Sequence, residues 1–431
     1  MSVRLFCIGD IHLGRRPTRV PSELLEHVGA RDLGPAGAWR RAVEEALALE
    51  ADAVLLAGDV VEDEKDFYEA YGLLEDGVRR LLGRGIAVLA VAGNHDVAVL
   101  PRLADSIEGF QLLGRRGTWE TAVVRGRSGE LVRVTGWSFP GASYDVSPLA
   151  AATFESGEVP AIGLLHCDRD GGTSPYAPVR SSELEAAPVV AWLLGHVHVP
   201  DPLSGRRPIG YLGSLCGLDP GEAGPRGPWL VEVDSAGSVR ARHLPMAPVR
   251  WELVDVDVSG LENPGDLGPA LVGAIDGLHE RLLHQCHRRP LAVGCRFRLV
   301  GRSRLGRALS QAAQSDEIAG LIASRDEVVY FADKLTNESL PAVDLNELAK
   351  GTDPPALVAR KLLVLERPVD DPERRRLLAA VREQLDGVTK DNRYALLADR
   401  ATPSEEECAA LARRVCVRAL EELLAQVEEA S

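Results

Sequence analysis

Short apolar runs bounded by glycine and polar residues recur through the first 200 residues: Val3–Ile8, Ala53–Ala57, Ile86–Ala92, Ala161–Leu165 and Val189–Leu194. Runs of this length, rich in Val, Ile and Leu, read as buried strands. Apolar residues at helical spacing lie between several of them, at Ala38–Leu49 and Asp66–Leu82. Alternating strands and helices predict an α/β layered fold, in which ligands bind beyond the carboxyl ends of strands. The pattern changes after residue 257. Asn263-Pro264 opens a helix carrying Leu271, Ile275, Leu278 and Leu282. Leu291–Val300 reads as a strand, Leu305–Ala323 as a second helix and Glu327–Ala332 as another strand. Residues 351–371 are rich in Pro and Asp and read at their start as a linker around a short helix. Pro372 begins a helix that Gly387 can end. Thr402-Pro-Ser-Glu405 reads as a capping box, followed by an apolar stripe of Cys408, Leu411, Val415, Leu420, Leu423 and Val427.

Each of the first five runs ends in a group able to bind a metal. The endings are Gly9-Asp10-Ile11-His12-Leu13-Gly14, Gly58-Asp59, Gly93-Asn94-His95-Asp96, His166, and Gly195-His196-Val197-His198. Singly, each could be a turn, a helix cap or a surface histidine. Together they take five of the ten histidines. Two carboxylates, one amide oxygen and four imidazoles form a mixed nitrogen and oxygen set, which favours manganese, iron or zinc. Seven ligands exceed what one tetrahedral ion needs. They suit two ions that share a carboxylate, activate a water and clamp a phosphoryl group.

Composition narrows the class. The apolar share of 45% and charged share of 26% are those of a soluble globular protein, and 431 residues suggest two or three domains. No run is long enough to span a bilayer and the amino terminus enters a strand at once, so a cytoplasmic location is expected. The seven scattered cysteines contain no CxxC pair, which argues against a disulfide framework or a thiolate zinc site. The net charge of −15 opposes nucleic-acid binding, although bound cations offset it locally.

The five ordered blocks resemble the calcineurin-like metallophosphoesterases. Asp10-Ile-His-Leu-Gly14, Tyr211-Leu-Gly-Ser-Leu215, Gly227-Pro-Trp-Leu-Val-Glu-Val-Asp234 and Pro248-Val-Arg-Trp-Glu-Leu-Val-Asp-Val-Asp257 are similar to the SbcD-type DNA repair nucleases. Leu212 departs from the proline usual in that turn, and the Arg-Gly of the protein phosphatase branch is absent after Asp59. The resemblance implies a four-layer sandwich of two β-sheets flanked by helices, with a small α/β cap and a helical C-terminal region. It divides the chain into a nuclease domain at 1–257, a cap at 258–345 and a C-terminal region at 346–431. It implies that Asp10, His12 and His198 hold one divalent ion and Asn94, His166 and His196 a second. Asp59 bridges them, and His95 is the general acid. Manganese is the expected metal, DNA the expected substrate, and an SbcC-type coiled-coil ATPase and a second copy of the chain the expected partners.

Arginines add a substrate expectation. Arg15 and Arg16 follow His12 closely, where they could meet a phosphate. Eight more lie between Glu280 and Arg307 with only Glu280 to offset them, a candidate phosphate track. Two other functions compete with a nuclease. A small-molecule or cyclic-nucleotide phosphodiesterase would show a deep closed cap and indifference to duplex DNA. A non-catalytic scaffold would lack a ligand position, and none is missing.

Overall fold

The structure, a computed structural model, describes residues 2–150, 152–154, 157–315, 320–389 and 404–429. The five apolar runs form the strands Ser2–Ile8, Ala53–Leu56, Ala87–Ala90, Ala161–His166 and Ala191–Gly195. They fall into two sheets. The first has the order Val239–His243, Trp229–Asp234, Ser2–Ile8, Ala53–Leu56, Ala87–Ala90, Phe110–Leu112. The second has the order Ile209–Tyr211, Ala191–Gly195, Ala161–His166, Leu131–Trp137, Trp119–Arg125. The ligand-bearing strands pair in parallel within each sheet, so their carboxyl ends lie along one edge.

Side-chain alternation builds the layers. Val3, Leu5 and Cys7 share one core with Val132, Val134, Ile162, Leu164 and Leu193 of the other sheet. Phe6 and Ile8 point the opposite way, onto Trp39 and Val43 of helix Pro35–Ala48 and Leu74 and Val78 of helix Phe67–Leu82. The far face of the second sheet packs Leu165, Trp192 and Leu194 against Val179 and Leu184, the latter on the short helix Ser181–Ala186. The result is the expected four-layer sandwich. Each large side chain buried here contributes about 1.5–3 kcal/mol.

The chain divides into two compact units. One comprises Met1–Leu253, Asp276–Arg296 and Ile322–Asp333; the other comprises Val254–Ile275, Phe297–Leu321 and Lys334–Ser431. Helix Leu267–Gln285 and strand Ala292–Val300 each contribute residues to both units. A third sheet has the order Val249–Asp257, Ala292–Val300, Val328–Asn337, Ile322–Arg325.

Several later elements differ from expectation. The helix predicted over 305–323 is seen as Gly306–Gln314; residues 316–319 are outside the described set, and Ile322–Arg325 is a strand antiparallel to Val328–Asn337. The intervening Asp326 and Glu327 both have positive φ, 45° and 67°, as a two-residue hairpin turn requires. The stretch read as a linker around a short helix is a packed helix of 12 residues, Pro354–Leu365, whose Ala359 and Leu362 share a core with Leu345 and Leu420. Helix Pro372–Thr389 runs through Gly387. The last helix, Glu405–Glu429, starts with a reciprocal box: Glu407 N–H donates to Ser404 Oγ (3.2 Å), and Ser404 N–H to Glu407 Oε2 (2.7 Å). That is two residues beyond the predicted Thr402, which lies outside the described residues, as does the Val427 side chain. Cys408, Ala412 and Leu420 form its buried stripe, leaving Val415 60% exposed. Packing within the chain therefore occupies that face. All seven cysteines are free thiols, and no helix among the described residues is long and apolar enough to cross a membrane.

Candidate metal centre

All five ligand-bearing blocks lie in the first unit, where the carboxyl ends of the two sheets meet. The junction is direct, since His166 Nδ1 from the second sheet is 3.0 Å from the Ala57 carbonyl oxygen of the first. The backbone is strained here. Asp10, His12, Asp59 and His196 all have positive φ, 37°, 55°, 48° and 105°. Each such non-glycine conformation costs about 1–3 kcal/mol and persists only where its surroundings impose it. Close approach also requires glycine at position 93. A Cβ there would overlap Asp59 Oδ1 and lie 2.7 Å from the Asp59 nitrogen.

The imidazoles are oriented by what holds their Nδ1 atoms. His12 Nδ1 is 2.6 Å from Glu62 Oε2, and His198 Nδ1 is 2.8 Å from Glu222 Oε1. A carboxylate there keeps the proton on Nδ1, so each Nε2 presents a lone pair. Those two Nε2 atoms face each other at 3.1 Å. Two nitrogens about 2.1 Å from one ion and near right angles to each other are about 3 Å apart, so a cation fits this pair. Asp10, His12 and His198 offer ligand atoms all within 4.8 Å of one another, and Asp10, Asp59 and His166 do the same. His166 Nε2 lies 3.1 Å from Asn94 Oδ1 and 3.4 Å from Asp59 Oδ2. Both carboxylates are almost wholly buried, and uncompensated charges in such a place are costly. The residues present fit two divalent cations.

His196 and His95 stand at the border. The His196 ring contacts those of His166 and Tyr176, with centroids 5.2 and 5.1 Å away. Its nitrogens join none of the close ligand groups found among the described residues. Its backbone N–H donates to Asp10 Oδ1 at 3.0 Å. His95 sets its ring edge-on to His12 at 5.2 Å, with Nδ1 3.2 Å from the Glu62 carbonyl oxygen. The Glu62 main chain thus orients His95, while its side chain serves His12. Asp96 instead braces the loop, accepting from Gly93 N–H (2.8 Å) and Val60 N–H (2.7 Å).

Charge follows geometry. Burial opposes ionisation of both His166 and Asp59, yet their mutual attraction outweighs it. His166 is pushed up to about 9, and Asp59 is held below the usual carboxylate range. Burial pushes Asp96 up to about 7, with Asp59 adding to the effect. Burial, then the charge of His166, drives His196 down to about 4.

The structure separates the candidate arginines. Arg15 lies 3.7 Å from Asp219, and its charge reaches Glu62 and His198. Arg16 is exposed. In the 280–307 run, four arginines are neutralised by acids distant in sequence: Arg288 by Glu44 (2.7 Å), Arg289 by Asp326 (3.5 Å), Arg296 by Asp333 (3.4 Å) and Arg298 by Asp255 (2.7 Å). That much of the run is a set of ion pairs.

Sequence reading missed Glu222 and Ser214. No spacing rule marks Glu222, which follows the Tyr211–Leu215 turn in a loop. Leu212 has an explanation: its N–H donates to the Leu194 carbonyl oxygen at 2.8 Å, a bond that proline cannot make.

Residues 3–200, a little under half of the chain, match the calcineurin-like phosphoesterase family. The chain is 29% identical over 234 residues to an uncharacterized metallophosphoesterase, YhaO, of Bacillus subtilis, covering 52% of this chain and 55% of that one. It is 29% identical over 265 residues to the DNA double-strand break repair protein Mre11 of Haloferax volcanii, covering 60% and 56%. The matches thus span little more than half of each relative. Among solved structures, a dimetal phosphatase from Danio rerio is similar at TM-score 0.34 and 12% identity, over 56% of this chain and 96% of its own.

Proposed function

We propose that this chain is a metallophosphoesterase and a DNA nuclease, hydrolysing phosphodiester bonds with two divalent ions, manganese first among them. The observation that carries the phosphodiesterase reading is the facing pair of carboxylate-backed imidazoles beside two buried aspartates. The likeness to a DNA-break repair protein, which extends past residue 200, supports DNA as substrate. Asp10, His12 and His198 would hold one ion, Asn94, His166 and His196 the other, with Asp59 between them. When bound, such ions activate water and neutralise phosphate charge. His95 supplies the proton. The Glu62 carbonyl can only accept, so it keeps a proton on Nδ1, and the imidazolium form releases its Nε2 proton to the departing oxygen. Arg15 contacts the phosphate, and Arg16 lies beside it. The same reading pairs the chain with a coiled-coil ATPase and with a second copy of itself.

A second reading, hydrolysis of a small-molecule or cyclic-nucleotide phosphodiester, is favoured by the net charge of −15 and by the ion-paired arginines of residues 280–307. Labelled single- and double-stranded DNA, incubated with manganese beside bis-para-nitrophenyl phosphate, distinguishes the two. A nuclease cleaves both kinds of substrate. Cleavage of the small ester alone, with a coiled-coil ATPase present as well as absent, moves the assignment to the second reading.

A further inference from the structure

Glu222 is partly buried in the loop after the Tyr211–Leu215 turn, its side chain 11% exposed, and its carboxylate reaches a histidine of the metal centre. Oε1 lies 2.8 Å from His198 Nδ1, and Oε2 accepts from Ser214 Oγ and from Leu218 N–H, both at 3.1 Å. Ser214 is wholly buried, and its N–H donates to the His198 carbonyl oxygen at 2.9 Å. The next residue, Leu215, donates its N–H to the Asp10 carbonyl oxygen at 3.3 Å. The turn therefore fixes the main chain of two ligands and, through Glu222, the ring of one.

The two metal positions are built unequally. Both imidazoles beside Asp10 are backed by carboxylates, His12 by Glu62 and His198 by Glu222. The buried imidazole of the other position, His166, is backed by a neutral carbonyl oxygen, that of Ala57. A carboxylate behind an imidazole makes it a stronger donor to a cation, and losing such a partner typically lowers affinity about 10- to 100-fold.

We propose that Glu222 is a positioning residue that, with Glu62, makes the Asp10–His12–His198 position the tighter of the two. The inference rests on the two-ion reading above. Calorimetric titration of the metal-free full chain with Mn2+ tests it, alongside Co2+ titration followed by visible absorption, which reports the ligand field of the site being filled. The wild type should show two classes of site. Glu222→Gln should weaken the tighter class by about 10- to 100-fold, leave the weaker class in place and change the Co2+ bands of the first equivalent. Glu62→Gln should do the same, and His166→Ala should weaken the other class instead.

An unchanged tight class in Glu222→Gln, or equal weakening of both classes, overturns the proposal. If Glu222→Gln does not fold, Ser214→Ala takes its place. It removes one of the groups holding Glu222 and should weaken only the tight class, to a smaller extent; no selective weakening overturns the proposal. A wild type that binds fewer than two ions sinks the two-ion reading itself, a result separable from a failure confined to the glutamate variants.

Discussion

Gly93→Ala tests how tightly the centre is packed without touching a ligand. The added methyl would overlap Asp59 Oδ1 and sit 2.7 Å from the Asp59 nitrogen. Heavy atoms rest at about 3.5 Å, so Asp59 or the Gly93 loop must move by about 1 Å. The loop resists, because Gly93 N–H is fixed by buried Asp96, which also holds Val60. Overpacking of this kind costs about 1–3 kcal/mol. A displacement of about 1 Å at a reacting centre costs on the order of 100-fold in rate. Hydrolysis of bis-para-nitrophenyl phosphate in saturating manganese should therefore fall about 100-fold, and the melting temperature should drop by a few degrees. Gly260→Ala, where a Cβ meets nothing within 4 Å, serves as control and should leave both unchanged. Wild-type turnover in Gly93→Ala would refute the argument that Asp59 is held in one place by its neighbours.

His95→Ala should retain two ions per chain by elemental analysis and lose about 100- to 10,000-fold in turnover; loss of the metals would make His95 a ligand instead. Leu212→Pro removes the N–H that satisfies the Leu194 carbonyl oxygen, and urea denaturation should show about 1–3 kcal/mol of lost stability. Asp96→Asn leaves one of two buried N–H donors, of Gly93 or Val60, without an acceptor, and the same measurement should give a similar loss. The His166 pKa is raised to about 9 from its ordinary 6.5, so its contribution to metal-free stability is full below about pH 6.5 and is lost as pH rises through 9. Melting in chelator should show that decline, and His166→Gln should flatten it.

The centre was legible because its chemistry sits at strand ends. A parallel strand announces itself as an apolar run, and the residue after it has one place to be, so Asp10, Asp59, Asn94, His166 and His198 could be grouped before any contact was known. What surrounds the ligands was not legible. Glu222 comes from a loop with no periodicity, and nothing in the spacing marks Glu62 as the partner of His12. The arginine run misled for a related reason. Counting acids nearby in sequence found only Glu280, whereas the fold brings Glu44, Asp255, Asp326 and Asp333 to it. The hairpin at Asp326–Glu327 was hidden because its turn uses positive φ without glycine or asparagine. The full extent of helix Pro354–Leu365 was hidden by Pro354 and Pro355, which read as linker residues but stand in its first turn, behind the Asp353 cap.

In the proposed reading, two bound cations and Asp59 together make this chain a phosphodiesterase. The most direct test is bis-para-nitrophenyl phosphate hydrolysis by chelated protein during stepwise return of manganese, in the wild type and in Asp59→Ala. The expected result is no hydrolysis after chelation, recovery that saturates near two ions per chain, and no recovery in Asp59→Ala. Full hydrolysis by the chelated wild type, or by Asp59→Ala at any manganese level, would contradict it.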